Sequence, residues 1–309
     1  MISDTCSSKV IAISPLEGKA LAQYIETMSG TVWSDQRLGP ASMSSLGEAA
    51  LEDRLYTDAD LVQYYDLENG WGPDVEFCAS LCQNADSLLD LGCGTGLFAA
   101  RMAVCGTARV TGVDPARAML EVARSRAGGD MVNWVEGSAQ FVRLGQQFDL
   151  IVLTGHAFQV FLTEADRRAV LQTIRAHLAP GGRFIFDTRN PLVEEWREWT
   201  PEQSQRVVDH PTLGPVRAWN DVQRDEATGI VTYDTFYAPD SGDAVLTARS
   251  QIAFPSREEL ERLLAEAGLA ATDWFGDWQG GPPGLDRPEI VVLGSISGPA
   301  EPGAGRIGN

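Results

Sequence analysis

The stretch Ser87-Leu88-Leu89-Asp90-Leu91-Gly92-Cys93-Gly94-Thr95-Gly96-Leu97-Phe98-Ala99 constrains this chain more than any other. A short apolar run ends in three glycines at alternate positions, and a helical apolar pattern begins at once on the far side. A turn that tight needs glycine for its dihedrals and for the close approach of backbone to a ligand. A strand that feeds a helix in this way belongs to a βα unit, and βα units build a parallel sheet with helices on its faces.

Between Ser87 and about Pro191 the same alternation repeats. It predicts strands at Ser87–Leu91, Arg109–Val113, Val132–Glu136, Leu150–Thr154 and Arg183–Asp187, with helices at Leu97–Cys105, Arg117–Arg126 and Glu164–Leu178. The third helix opens at Thr163, with Asp166 three residues on, and is closed by Pro180-Gly181-Gly182. Two helices precede the first strand. One starts in Thr57-Asp58-Ala59-Asp60 and carries Leu61, Tyr64 and Tyr65; the other covers about Asp74 to Gln83. After Pro191, segments at Pro215–Val222, Ile230–Ala238 and Ala244–Ala253 with turn residues between them predict an inserted antiparallel β-meander. Ser256, with Glu259 three on, then starts a helix whose apolar face is Leu260, Leu263, Leu264 and Ala267, and strands near Ala271–Phe275 and Glu289–Leu293 return to the sheet. The expected organisation is a variable extension at 1–55, a doubly wound α/β core at 56–190, the inserted meander as a cap at 191–254, the rest of the core at 255–297 and a disordered Gly/Pro-rich tail at 298–309.

Charge narrows the partners. With 43 acidic against 24 basic residues the formal net charge is -19, and no Lys/Arg run offers a local patch for a phosphate backbone, so nucleic acid is disfavoured. The N-terminus lacks a signal-peptide pattern and no apolar run is long enough to cross a membrane, which makes the cytoplasm the expected compartment. Cys6, Cys78, Cys82, Cys93 and Cys105 are odd in number and scattered, so no disulfide framework is expected. His156, His177 and His210 lie far from the Cys78 and Cys82 pair, so no metal site is expected either.

Two carboxylates frame the glycine turn. Asp114 follows Val110-Thr111-Gly112-Val113, at the tip of the second strand, where an acid can accept both hydroxyls of a ribose. Gly94-Thr95-Gly96-Leu97-Phe98-Ala99 also satisfies the dinucleotide pattern GxGxxA, so the turn alone leaves a nicotinamide cofactor and S-adenosylmethionine both open. Asp90 separates them: S-adenosylmethionine brings a sulfonium and an ammonium for a carboxylate to balance, whereas a pyrophosphate brings only negative charge. The purely structural uses of these acids are a strand-end or capping carboxylate at Asp90 and a surface loop acid at Asp114.

Asp90 to Gly96, then Gly112-Val113-Asp114, then Phe148-Asp149-Leu150-Ile151-Val152 and then Leu178-Ala179-Pro180-Gly181-Gly182-Arg183-Phe184 resemble, in order and spacing, the class I methyltransferase family over about residues 87–190, with a looser continuation to 294. The resemblance implies a seven-stranded sheet whose last strand is antiparallel in an otherwise parallel sheet. It implies S-adenosylmethionine as methyl donor and S-adenosylhomocysteine as product. Residue by residue, it implies Gly92, Gly94 and Gly96 around the methionine portion, Asp114 at the ribose and Ser138-Ala139-Gln140 at the adenine, with Asp90, Cys93, Pro115 and Thr154 among the further cofactor-binding residues. Tyr64 and Tyr65 resemble the N-terminal lid of small-molecule members, Tyr65 being the candidate to close over the cofactor, with core packing as the other use of either ring. The meander, with Trp219, Tyr233, Phe236 and Tyr237, resembles the β-layer that covers the acceptor in sugar-amine and glycine-type N-methyltransferases, which makes Tyr237 and Arg189 candidate acceptor contacts.

Displacement at an activated methyl asks the protein mainly to align nucleophile, carbon and sulfur and to exclude water. An amine or phenol must also lose a proton, and the candidate base is His156 in Thr154-Gly155-His156-Ala157-Phe158-Gln159, just past the fourth strand at the carboxyl end of the sheet. The alternative is that His156 only shapes the pocket or hydrogen-bonds a neighbour. DNA amino-methyltransferases carry an acidic or amide residue, two prolines and an aromatic in that loop, and this chain does not. The function expected is methyl transfer to nitrogen or oxygen of a small-molecule acceptor, against a nicotinamide-dependent oxidoreductase or a catalytically silent cofactor-binding protein. No spaced tyrosine and lysine pair supports the oxidoreductase.

Overall fold

A computed structural model describes residues 53–298, apart from Ser241 and Asp243. The extension expected over 1–55 lies almost wholly, and the tail expected over 298–309 almost entirely, outside the described residues. Helices α1 (Arg54–Thr57), α2 (Ala59–Glu68) and α3 (Pro73–Leu81) lead into β1 (Ser87–Leu91). Then come α4 (Leu97–Cys105), β2 (Arg109–Asp114), α5 (Arg117–Ser125), β3 (Asn133–Glu136), β4 (Phe148–Leu153), α6 (Glu164–His177) and β5 (Leu178–Arg189). The inserted strands β6 (Arg206–His210), β7 (Gly214–Arg224), β8 (Val231–Pro239) and β9 (Leu246–Ile252) follow, and α7 (Arg257–Glu266), β10 (Leu269–Phe275) and β11 (Glu289–Ile296) complete the chain.

The main sheet has seven strands in the order β10-β11-β5-β4-β1-β2-β3. β1 to β5 pair in parallel, while β11 runs antiparallel to both β5 and β10. The reversal puts the start of β11 at the rim where β1 to β5 end; Glu289 pairs with Arg189. All five residues of β1 are buried, as a strand covered on both faces requires. One face packs Leu89, Leu91, Phe184 and Phe186 against Val170, Leu171 and Ile174 of α6 and Leu260, Leu263 and Leu264 of α7. The other packs Leu88, Val110 and Ile185 against Cys78 of α3 and Phe98, Ala99 and Met102 of α4. Thr163 and Asp166 form the expected capping box of α6, and the Ser256 hydroxyl accepts the Glu259 amide at the start of α7.

Asp58, within the expected start, caps α2, its side chain accepting the Asp60 amide. Two features differ from expectation. Leu178 to Gly182, expected to end α6, already belong to β5: Phe148 pairs with Leu178 and Leu150 with Arg183, so Pro180-Gly181-Gly182 bulge out of a ladder that continues on both sides. The inserted sheet has four strands, in the order β6-β7-β8-β9, rather than three. β6 is an edge strand with Val208 and His210 buried and Val207 63% exposed, which leaves it too short and too polar for an alternation signal. The inner face of this sheet, with Val208, Val216, Ala218, Tyr237 and Ala248, packs on Leu61 and Tyr64 of α2. Among the described residues no helix is long and apolar enough to cross a membrane.

Candidate active site

The glycine loop is shaped by its backbone. Gly92, Gly94 and Gly96 have φ of 84°, 51° and 74°, in the left-handed region that side chains rarely adopt. A Cβ on Gly96 would also lie 2.4 Å from the Trp134 ring, and one on Gly94 would lie 3.5 Å from the Tyr65 ring. Asp114 fixes the loop: its Oδ2 accepts the Gly94 amide at 2.9 Å and its Oδ1 accepts the Ala116 amide at 2.8 Å. Each oxygen keeps a second lone pair, the equipment a ribose diol would use. Burial holds the Asp114 carboxyl above its usual range, with those two amides pulling the other way. Asp90 is 3% exposed, and burial first, then the neighbouring Asp114, push it up to about 7 against one backbone hydrogen bond from Ala99. A buried acid held that far from its ordinary state is complementary to a ligand that brings its own positive charge.

Helix α2 spans the loop and the inserted sheet. Asp66 accepts the Thr95 hydroxyl at 2.5 Å and pairs with Arg126, whose Nε donates to the Thr95 carbonyl at 3.0 Å. One residue earlier, Tyr65 lies over Gly94 and meets Tyr56 edge-on at 6.1 Å. Glu68, at the end of the helix, pairs with Arg206 of β6 and accepts the hydroxyl of Tyr237 of β8. Burial keeps the hydroxyls of Tyr56, Tyr65 and Tyr233 protonated, and their mutual proximity reinforces this for Tyr56 and Tyr65.

Past β4 the chain turns through Gly155 and His156, both left-handed; His156 has φ 59°. A non-glycine residue held there is strained, and here two hydrogen bonds hold it. The His156 amide donates to Asp187 of β5 at 3.2 Å, and its Nε2 lies 3.0 Å from Glu289 of β11 and 3.4 Å from Asp187. Asp187 is 1% exposed, and burial raises its carboxyl to about 6. For His156, burial acts to lower the imidazole pKa, but Asp187 and Glu289 outweigh it and hold the ring above the usual histidine value. Donor atoms of His156, Asp187 and Glu289 all lie within 4.8 Å of one another, the one such grouping among the described residues, and Nε2 of the ring is already hydrogen-bonded to Glu289.

Residues 88–182 match the model of a methyltransferase domain family. The chain is 29% identical over 208 residues, 67% of its own length and 82% of the other, to a cypemycin N-terminal methyltransferase of Streptomyces sp. It is 28% identical over 60% of its length and 71% of the other to the dTDP-3-amino-3,6-dideoxy-alpha-D-glucopyranose N,N-dimethyltransferase of Streptomyces fradiae. The fold is similar to the CcbJ methyltransferase of Streptomyces caelestis, with a TM-score of 0.64 at 19% identity over 79% of this chain and 99% of that one. The chain is a class I, S-adenosylmethionine-dependent methyltransferase. Its buried glycine loop, paired acids and sheet order suit that cofactor, which supplies a methyl group activated for in-line transfer.

In this methyltransferase, Asp90, Gly92, Cys93, Gly94, Gly96 and Asp114 form one buried turn with Tyr65 above it, and Pro115 is the exposed residue beside Asp114. Ser138 and Ala139 follow β3, the Ser138 hydroxyl turned to the Gln140 side chain, and Thr154 opens the His156 loop. Arg189 donates to Gln159 at 2.9 Å, lies 3.3 Å from Glu195 and covers the Trp199 ring at 5.1 Å. Tyr237 is 2% exposed, stacks on Tyr64 at 4.1 Å and spends its hydroxyl on Glu68, so its polar atom is engaged inside the fold. Sequence reasoning missed Asp187, Glu289 and Gln159. The first two were findable: the rim where the parallel strands end is also where a reversed last strand begins, so the last acid of β5 and the first acid of β11 share it.

Proposed function

We propose that this methyltransferase transfers a methyl group to the amine nitrogen of a small molecule, with His156 taking the proton that the amine must lose before it can attack. The observation that carries the reading is the pairing of His156 with Asp187 and Glu289 at the carboxyl end of β4 and β5, beyond the glycine loop. An alkyl amine is mostly protonated at neutral pH and has no lone pair to offer; a site with two carboxylates around one imidazole attracts that cation and accepts its proton. A phenolate would be repelled there. Both relatives described above are named for methylation at nitrogen, one on a peptide terminus and one on an amino sugar. Asp90 balances donor charge, Asp114 holds the loop and the ribose, Tyr65 shields the reacting region from water, and Arg189 lies on the acceptor side, whereas Tyr237 is engaged inside the fold and only supports the sheet behind it.

The test is incubation of the full chain with labelled methyl donor and a panel of amino sugars, short peptides with free N-termini, and phenols, scored by S-adenosylhomocysteine release. Label on amines alone supports the reading; label on phenols alone overturns it. His156→Ala is expected to lower turnover by about 100-fold, the ordinary worth of a proton-transfer group, with cofactor affinity by calorimetry unchanged.

A further inference from the structure

Among the groups that no known role absorbs, the two carboxylates behind His156 stand out. Asp187 lies near the end of a strand in the middle of the sheet and is 1% exposed; Glu289 begins the reversed strand beside it; neither forms a salt bridge with a lysine or arginine among the described residues. Both converge on one ring nitrogen. Nε2 is 3.0 and 3.1 Å from the two Glu289 oxygens and 3.4 Å from Asp187, while the Asp187 carboxylate also receives the His156 amide through both of its oxygens.

A carboxylate can only accept, so Nε2 must be the nitrogen that carries hydrogen. The neutral ring then keeps its lone pair on Nδ1, because the hydrogen bond made by one nitrogen decides the state of the other. The same two acids stabilise the imidazolium that forms when Nδ1 takes a proton. We infer that Glu289 and Asp187 are positioning residues that act through His156: they fix its Nε2–H tautomer and present Nδ1 as the proton acceptor. This rests on the role proposed for His156 above. In the step itself an N–H bond of the protonated acceptor breaks, its electron pair stays on nitrogen as the nucleophilic lone pair, and the proton forms a bond to Nδ1. No oxidant, reductant or further reactant enters.

The charged groups that face the ring are Asp187 and Arg189 of β5 and Glu289 of β11. Cys78 of α3 lies near Asp187, and Glu195 partly neutralises Arg189. Arg189 opposes the two acids, so removal of either acid leaves one carboxylate against one guanidinium and takes away most of the net negative influence on the ring.

With three histidines in the chain, long-range proton–nitrogen spectra of the full-length protein labelled at histidine nitrogens can follow each ring without any acceptor, and His156→Asn assigns the signal. The expected result is an Nε2–H tautomer for His156 and a midpoint that falls by about one pH unit in Glu289→Gln, the effect of one lost opposite charge at close range. Glu289→Asp should restore part of the shift. Asp187→Asn should lower the midpoint as well, and keeps the test available if Glu289→Gln does not fold. An unshifted S-adenosylhomocysteine affinity shows that each variant is folded. An Nδ1–H tautomer, a midpoint indifferent to both substitutions, or one equivalent of divalent metal bound to the purified enzyme and lost in His156→Asn would each overturn the inference. Because the spectra need no acceptor, they can fail while amine methylation stands, and phenol methylation would leave the ring assignment intact.

Discussion

At the scale of single residues, Asp90 gives the sharpest expectation. Its folded value of about 7 lies above the ordinary 3.8, so the folded chain holds that proton after the unfolded chain has lost it. The protein therefore loses stability on this account as pH rises from about 4 to about 7, and no further above that. A cationic ligand prefers the ionised carboxylate, so the sign for binding is opposite: cofactor affinity should climb as pH rises through 7, by at most about tenfold per unit, and level off near 8. Calorimetry from pH 6 to 8.5 reads this directly, and Asp90→Asn should flatten the profile and weaken binding at pH 8. A flat wild-type profile would mean that Asp90 stays neutral beside the cofactor. The choice between a donor with a positive sulfur and a dinucleotide was legible in this residue. Its companion Asp114 could be named from the sequence as a candidate ribose acid, but its grip on the Gly94 and Ala116 amides could not be read there, because backbone hydrogen bonds across a turn leave no mark on residue spacing.

At the scale of elements, α2 is the piece whose role the sequence half disclosed. Leu61, Tyr64 and Tyr65 announced an amphipathic helix, and two of them divide its work: Tyr64 packs on the inserted sheet while Tyr65 lies over Gly94. The acids Asp66 and Glu68 stand in no motif, yet one fastens the helix to the glycine loop and the other to β6 and β8. Asp66→Ala removes the link to Thr95 and Arg126, partly buried contacts worth about 1 kcal/mol. Cofactor dissociation by stopped flow should quicken about fivefold while the association rate stays the same. The missed strand β6 and the early start of β5 share a cause. Edge pairing and a bulged ladder are tertiary facts, whereas hydrophobic alternation reports only on strands half or wholly covered.

At the scale of the molecule, the strand alternation alone fixed the doubly wound core, and the reversed seventh strand came with the family resemblance rather than with any periodicity. In the site proposed above the cofactor would bridge a buried loop, two strand tips and α2, so it should stabilise the whole core. At about 100 times its dissociation constant it is expected to add about 2.7 kcal/mol, or a rise of about 5–10 °C in melting temperature for a chain of this size, with no rise from a nicotinamide dinucleotide. A rise with the dinucleotide alone would contradict the assignment. The reversal of β11 reaches further than sheet order. Glu289 comes 133 positions after His156, whereas every glycine and acid of the donor loop is in place by residue 114. On the roles proposed above, the proton-accepting corner is thus the last part of the site that the chain supplies, and it depends on a strand added after the whole insertion has been passed.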